Sequence, residues 1–153
     1  MNLTFEAVVI PVSDVDRAKE FYEKTMGFRV DIDYSSTTYE KALGFRYPGA
    51  ANYRIVQLTP PGSKCSIQIG TGITKTTPGT YQGLYLVTSN IEDTRAELVA
   101  RGVNVSEPFH FSSKGQTPGI APDRADYNSF MTFSDPDGNG WLIQEIQKRA
   151  PGR

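Results

Sequence analysis

Two stretches of this chain repeat one another at a fixed spacing, and that repeat limits the possible folds more than any motif does. Ser13 recurs as Ser89, an offset of 76 (89 − 13), and Val15 recurs as Ile91. The turn Thr59-Pro60-Pro61-Gly62-Ser63 returns as Asp135-Pro136-Asp137-Gly138-Asn139 at the same offset. Cys65-Ser66-Ile67-Gln68 returns as Trp141-Leu142-Ile143-Gln144. One register that links a helix entrance, a Pro-Gly turn and a glutamine marks a duplicated module, because a solenoid needs three or more copies.

Each copy reads as a strand, a helix and three further strands. Residues 14–26 place Val15, Ala18, Phe21, Tyr22 and Met26 on one helical face, with Gly27 as the stop. Residues 91–101 do the same with Ile91, Thr94 and Leu98, ending at Gly102. Ser13 with Asp16, and Ser89 with Glu92, have the spacing of capping boxes. The apolar runs 7–12 and 84–87 precede the helices and lack alternation, as expected of strands covered on both faces. The strands of the first copy are expected near 5–12, 29–34, 53–58 and 64–69. Those of the second are expected near 84–87, 104–109, 129–133 and 140–146. Two long connections, 35–52 and 112–128, carry Gly44, Pro48, Gly49, Pro118, Gly119 and Pro122 and read as irregular covers.

Composition removes several classes of function. A net charge of −1 from 16 basic and 17 acidic residues exerts no long-range pull on nucleic acid or anionic membranes. The apolar run 7–12 is too short for a membrane span or a secretion signal, and a single cysteine allows no internal disulfide, so the cytoplasm is the expected compartment. One histidine, His110, and one thiol, Cys65, leave little for a zinc, iron or nickel centre, which usually needs several such donors. An all-oxygen magnesium or calcium site stays open, because carboxylates are plentiful.

The stretch Val8-Val9-Ile10-Pro11-Val12-Ser13-Asp14-Val15-Asp16-Arg17-Ala18, followed by Phe21-Tyr22 and Gly27-Phe28, resembles the opening of the vicinal oxygen chelate superfamily. That group holds glyoxalases, bleomycin-resistance proteins and extradiol dioxygenases. Phe133-Ser134-Asp135-Pro136-Asp137-Gly138-Asn139 is similar to its last turn. The resemblance implies an α+β domain spanning 1–153. Two βαβββ modules in tandem, 1–77 and 78–150, would form a curved mixed sheet around a ligand cup. In metal-using relatives it places ligands at Ala7, Ser66, Gly83 and Leu142, of which only Ser66 could serve, and poorly. The metal-centred chemistry of glyoxalases and dioxygenases therefore loses its basis here, and no cofactor is expected.

Strand alternation extends the inward set: with 66 and 142 facing the cup, Gln68 and Gln144 face it too. Ala7 and Val9 would line it from the first strand, with Gly83, Tyr85 and Val87 from the fifth. Gln68 and Gln144 either hold a ligand or satisfy buried backbone groups. Arg54 is a further ligand-binding candidate whose side is not fixed by the pattern. His110 is the group that titrates near neutrality and the natural acid–base candidate. Asp123, Arg124, Asp126 and Tyr127 share its loop, while Tyr34, Tyr39 and Arg46 belong to the first. Glu145 shares the side of Trp141 and Ile143, under a helix, and is a poor catalytic candidate.

The leading expectation is a metal-independent protein that sequesters an apolar or aromatic metabolite or drug, as the resistance branch of the family does. The alternative is a cofactor-free isomerase, cyclase or hydrolase using His110, Asp126 and Tyr127 for proton transfer. A third reading is a metal enzyme with ligands from His110 and nearby carboxylates. The expected partner is a small organic molecule, with a homodimer as the assembly; relatives build their cups within one chain or by exchanging modules.

Overall fold

The computed structural model describes residues 1–37 and 52–151, and the candidates Tyr39 and Arg46, with Gly44, Pro48 and Gly49, lie outside them. The chain is α+β and divides into two compact units, 1–81 with 136–139, and 82–135 with 140–151.

The first unit holds β1 (Ala7–Val9), α1 (Val15–Glu20), β2 (Arg29–Ser35), β3 (Arg54–Thr59) and β4 (Ser66–Thr71). Its sheet has the order β1-β4-β3-β2, with β1 parallel to β4 and the other pairs antiparallel. The second unit holds β5 (Leu84–Thr88), α2 (Ile91–Ala100), β6 (Phe109–Ser112), β7 (Gly115–Pro118), β8 (Phe130–Ser134) and β9 (Gly140–Glu145). Its order is β5-β9-β8-β6-β7, with β5 parallel to β9. The first four strands of that order repeat the first sheet, and β7 is an addition at the edge.

The helices start one residue later than the capping boxes place them. Asp14 caps α1 by accepting from the Arg17 N–H, and Asn90 caps α2 by accepting from Glu92 and Asp93. Short polar side chains at this position satisfy amides that have no partner within the helix. Asp14 and Asn90 keep the offset of 76. Ser13 instead donates to Asp137, which also accepts from the Ser13 N–H and from Arg17. The turn 136–139 thereby belongs to the first unit: Asn139 donates to the Pro11 carbonyl and accepts from the Tyr81 N–H.

After α1 the chain widens into a π-helical turn, Phe21–Thr25, in which the Met26 N–H reaches the Phe21 carbonyl. Val15 to Gly27 spans one residue more than Ile91 to Gly102, and a π turn takes up one extra residue without losing the face. Gly27 and Gly102 both leave their helices with positive φ, 74° and 81°, where a side chain would be strained.

One face of each sheet packs under its helix. In the first unit Val56, Leu58, Ile67 and Ile69 are buried with Ala18 and Tyr22; in the second, Met131, Phe133, Trp141 and Ile143 are buried with Ile91 and Leu98. Each such side chain contributes about 1.5–3 kcal/mol when fully buried.

Two sequence expectations are corrected. The strand at 104–109 is not formed before Phe109, although Val103 and Val105 are buried. The Ser106 N–H does reach the Thr132 carbonyl, but the Thr132 N–H returns to the Ser106 hydroxyl, and the Ser106 carbonyl is taken by Arg95. Pro108 then removes a donor two residues on. The second long connection is also not wholly irregular, because 109–118 form the β6–β7 hairpin, with Gly115 at φ 88° in its turn.

Replacing Asn90 by Ala should cost about 1 kcal/mol in urea unfolding, whereas Ser89→Ala should stay within about 0.5 kcal/mol. The reverse order would return the cap to Ser89.

Candidate functional site: the helix-free sheet faces

Because side chains alternate along a strand, burying one face under a helix assigns every other side chain to the opposite face. In the first sheet that face carries Ala7 and Val9 opposite Ser66 and Gln68, which continue across β3 to Thr59 and Gln57. In the second sheet Tyr85 pairs with Leu142 and Val87 with Gln144, and across β8 these meet Thr132 and Phe130. The candidates Ala7, Val9, Ser66 and Gln68 thus share one face of their unit, and Tyr85, Leu142 and Gln144 share one face of theirs. Gly83 lies just before β5 with φ 76°. The parallel register places Tyr85, rather than Gly83, opposite Leu142, a two-residue slide relative to Ala7 and Ser66.

The face in the second unit is aromatic. Phe109 and Phe130 stack with ring centres 5.6 Å apart, and Phe111 meets Phe130 edge-on at 5.7 Å. Tyr85 is 60% exposed, Phe111 53% and Val87 43%. The Asn128 side chain continues the sheet by accepting from the Phe111 N–H and donating to the Phe111 carbonyl. At one end, a hollow of about 690 Å³ is lined by Gly83, Ser106, Thr132, Ser134, Trp141 and Leu142 among others. Phe109, Phe111, Phe130 and Thr132 escaped the sequence reading. The signal lies in the alternation of Phe109 and Phe111 with His110, but the expected strand 104–109 ends before Phe111.

The face in the first unit is polar at its centre. Gln68 donates through Nε2 to Gln57 Oε1 at 2.9 Å. The Ser66 and Thr59 hydroxyls lie 2.6 Å apart, and Thr59 donates to Asp31. Asp31 also accepts from Arg29, and the Thr59 hydroxyl first, then Arg29, hold its carboxyl below the usual range. In the second unit the Gln144 amide donates to the Tyr127 carbonyl.

The acid–base candidates go elsewhere. His110 is 8% exposed, alternates with the face bearing Phe109 and Phe111, and sits with Nδ1 2.9 Å from the Gly119 carbonyl. A ring nitrogen facing a carbonyl is the protonated, donating one. Asp126 accepts from the Gln147 and Lys148 amides, and the Tyr127 hydroxyl accepts from the Ala150 N–H, so this pair fastens the C-terminal segment. Glu145 is buried under α2, where it accepts from the Ile91 N–H and from Arg124, as its side of β9 requires. Burial and the Glu6 charge push the Cys65 thiol up, away from thiolate reactivity.

Arg54 also faces the helix side. It donates through Nε and Nη2 to the two oxygens of Asp33 and through Nη1 to Asp16, and Lys19 joins at Asp33. These contacts strap α1 to the sheet. Arg54 first and Lys19 second lower the Asp33 pKa from 3.8 to about 2. A depressed carboxyl pKa adds stability that is complete above pH 4 and fades as pH falls toward 2. Asp33→Asn should therefore cost about 1 kcal/mol at pH 7 and almost nothing at pH 2, measured by urea unfolding at both values.

With that geometry in view, the chain is a two-module α+β protein of the glyoxalase-like type. It belongs to the glyoxalase/bleomycin resistance protein/dioxygenase superfamily, whose family model matches residues 4–143. Among solved structures it is similar to TnmS3, an antibiotic binding protein from Streptomyces sp. CB03234, at 27% identity and a TM-score of 0.66. That match covers 95% of this chain and 98% of TnmS3. A superfamily member from Sphaerobacter thermophilus matches at 28% identity and a TM-score of 0.66, again over 95% of this chain and 98% of its own. A glyoxalase/bleomycin resistance protein from the same Streptomyces strain matches at 27% and 0.62, over 93% of this chain and 100% of its own. No curated protein matches the chain.

The metal ions used by some relatives do not fit the residues present. The four implied positions offer a methyl group at Ala7, a hydroxyl at Ser66, a hydrogen at Gly83 and an isobutyl group at Leu142. Divalent transition ions need imidazole, thiolate or carboxylate donors. Among the described residues, no three His, Cys, Asp or Glu side chains gather where they could hold an ion. Nor is any described helix long and apolar enough to cross a membrane.

Proposed function

We propose that this protein binds an uncharged aromatic small molecule on the helix-free face of its second sheet, as a sequestering protein that uses no metal. The observation that carries the reading is the aromatic wall of Phe109, Phe111, Phe130 and Tyr85. Thr132 and Leu142, which neighbour Phe130 and Tyr85 on this face, border a hollow at one end of the sheet. The exposed rings of Tyr85 and Phe111 offer flat apolar surface to a planar ligand, and Gln144 on the same face supplies a directed hydrogen bond. The relative described as antibiotic binding supports the same class of ligand.

The enzymatic alternative receives less support. It needs proton-transfer groups facing the ligand, yet His110 faces the helix side, and Asp126 and Tyr127 hold backbone amides. We place the protein in the cytoplasm as a homodimer whose interface leaves Tyr85 and Phe111 open to the ligand.

Binding of 2,7-dihydroxynaphthalene, followed by calorimetry and by the rise in melting temperature that a ligand of the folded state produces, tests the proposal. Phe111→Ala and Tyr85→Ala should each weaken binding about tenfold, and chelator should change nothing. Retained affinity in both variants, or loss on chelation, would overturn it. Sedimentation should give twice the mass of the chain.

A further inference from the structure

One side chain on the aromatic face of the second sheet has a fixed polarity. Gln144 stands within that face, with Val87 opposite it on β5 and Phe130 opposite it on β8. Two residues back along β9 lies Leu142, whose partner on β5 is Tyr85. An unrestrained primary amide can offer a ligand either its oxygen or its NH₂, since half a turn exchanges them. Gln144 has no such choice. Its Nε2 lies 2.9 Å from the Tyr127 carbonyl, and a backbone carbonyl can only accept. The NH₂ must therefore face Tyr127, which leaves Oε1 as the group to be satisfied.

The carbonyl that imposes this is itself held. The Tyr127 N–H donates to the Glu145 carbonyl at 3.1 Å, and the Tyr127 hydroxyl accepts from the Ala150 N–H at 2.7 Å. Two residues on, the Ser129 carbonyl accepts from the Glu145 N–H. These bonds clamp residues 127–129 along the end of β9 and keep Tyr127 at φ 70°, a costly conformation for a residue with a side chain. Reversing the amide would set its oxygen against the Tyr127 oxygen, two acceptors with no proton between them. Among the described residues, no donor reaches Gln144 Oε1. The hydroxyls of Tyr85 and Thr132 on the same face can donate or accept, so they impose no direction.

Resting on the proposed function, we infer that Gln144 sets ligand specificity as a fixed hydrogen-bond acceptor. It selects an aromatic molecule that carries one donor, a phenolic O–H or an N–H, at the edge of its ring system. The rings of Tyr85 and Phe111 take any flat apolar surface, whereas the amide oxygen tells a phenol from its methyl ether. An ether placed there leaves two acceptors facing each other and the Gln144 oxygen unsatisfied.

The test compares 2,7-dihydroxynaphthalene, 7-methoxy-2-naphthol and 2,7-dimethoxynaphthalene, which carry two, one and no donors, by calorimetry on the full chain. One fixed acceptor needs one donor, so the first two should bind within about threefold of each other. The dimethoxy compound should bind about tenfold more weakly, the order of one unmade hydrogen bond. Gln144→Met, which keeps the length of the side chain, should weaken binding of the dihydroxy compound about tenfold and level the series. Dimethoxy binding as tight as dihydroxy binding, or a full loss already at the monomethoxy compound, would overturn this inference while sparing the proposed function. So would a preference that survives in Gln144→Met. Binding of none of the three would overturn both. Should Gln144→Met fail to fold, the three affinities of the unaltered protein decide the question.

Discussion

Everything distinctive about this protein follows from the burial of one sheet face under a helix in each unit. Ile67, Ile69, Val56 and Leu58 go under α1, and Trp141, Ile143, Met131 and Phe133 go under α2. Once those side chains are committed, a two-residue period leaves no choice about which groups face the other way. The helix-free faces are therefore built from the residues the core did not need, and their chemistry can change without disturbing the packing. This separation is how one architecture serves many ligands. In this chain Ala7 pairs with Ser66 and Tyr85 with Leu142 on those faces, none of them an imidazole, thiolate or carboxylate.

Charged groups on the helix side obey the opposite logic. Glu145 is buried, and it is tolerated because it accepts from the Ile91 N–H and from two nitrogens of Arg124. A buried carboxylate without such partners would be costly. Arg54 plays the matching part in the first unit, bridging α1 to the sheet through Asp16 and Asp33. The two arginines orient secondary structure, while on the helix-free faces Asp31 is tied to Arg29 and Thr59 among hydroxyls, amides and rings. Arg124 achieves its reach from a backbone at φ 48°, next to the loop that fastens the C-terminal segment.

The duplicated module and strand parity were legible because both depend on local pattern: a repeat of 76 residues, apolar runs and Pro-Gly turns. Alternation from Ser66 and Leu142 led correctly to the sides taken by Gln68, Gln144, Trp141 and Glu145. What stayed hidden was register between strands, which tertiary contacts decide. Gly83 was paired with Ala7 by the repeat, yet the second sheet slides by two residues and brings Tyr85 into that place. The sequence pattern puts His110 at the end of a strand and the start of a loop, because residues 104–109 read as a strand. The Ser106 hydroxyl and Pro108 delay strand formation, so β6 begins at Phe109 and turns the imidazole to the other side. The network of Asp31, Thr59 and Ser66 is invisible for the same reason, since it joins β2, β3 and β4.

The turn at 136–139 carries a consequence for biosynthesis. Its Asp137 and Asn139 provide partners for Ser13, Arg17, Pro11 and Tyr81, all made far earlier on the ribosome. The N-terminal unit has its Asp14 cap and its sheet from its own residues, but these four contacts form only once residue 139 has been made. Contacts this distant in sequence form later than local ones, so the turn seals the unit after its sheet has assembled.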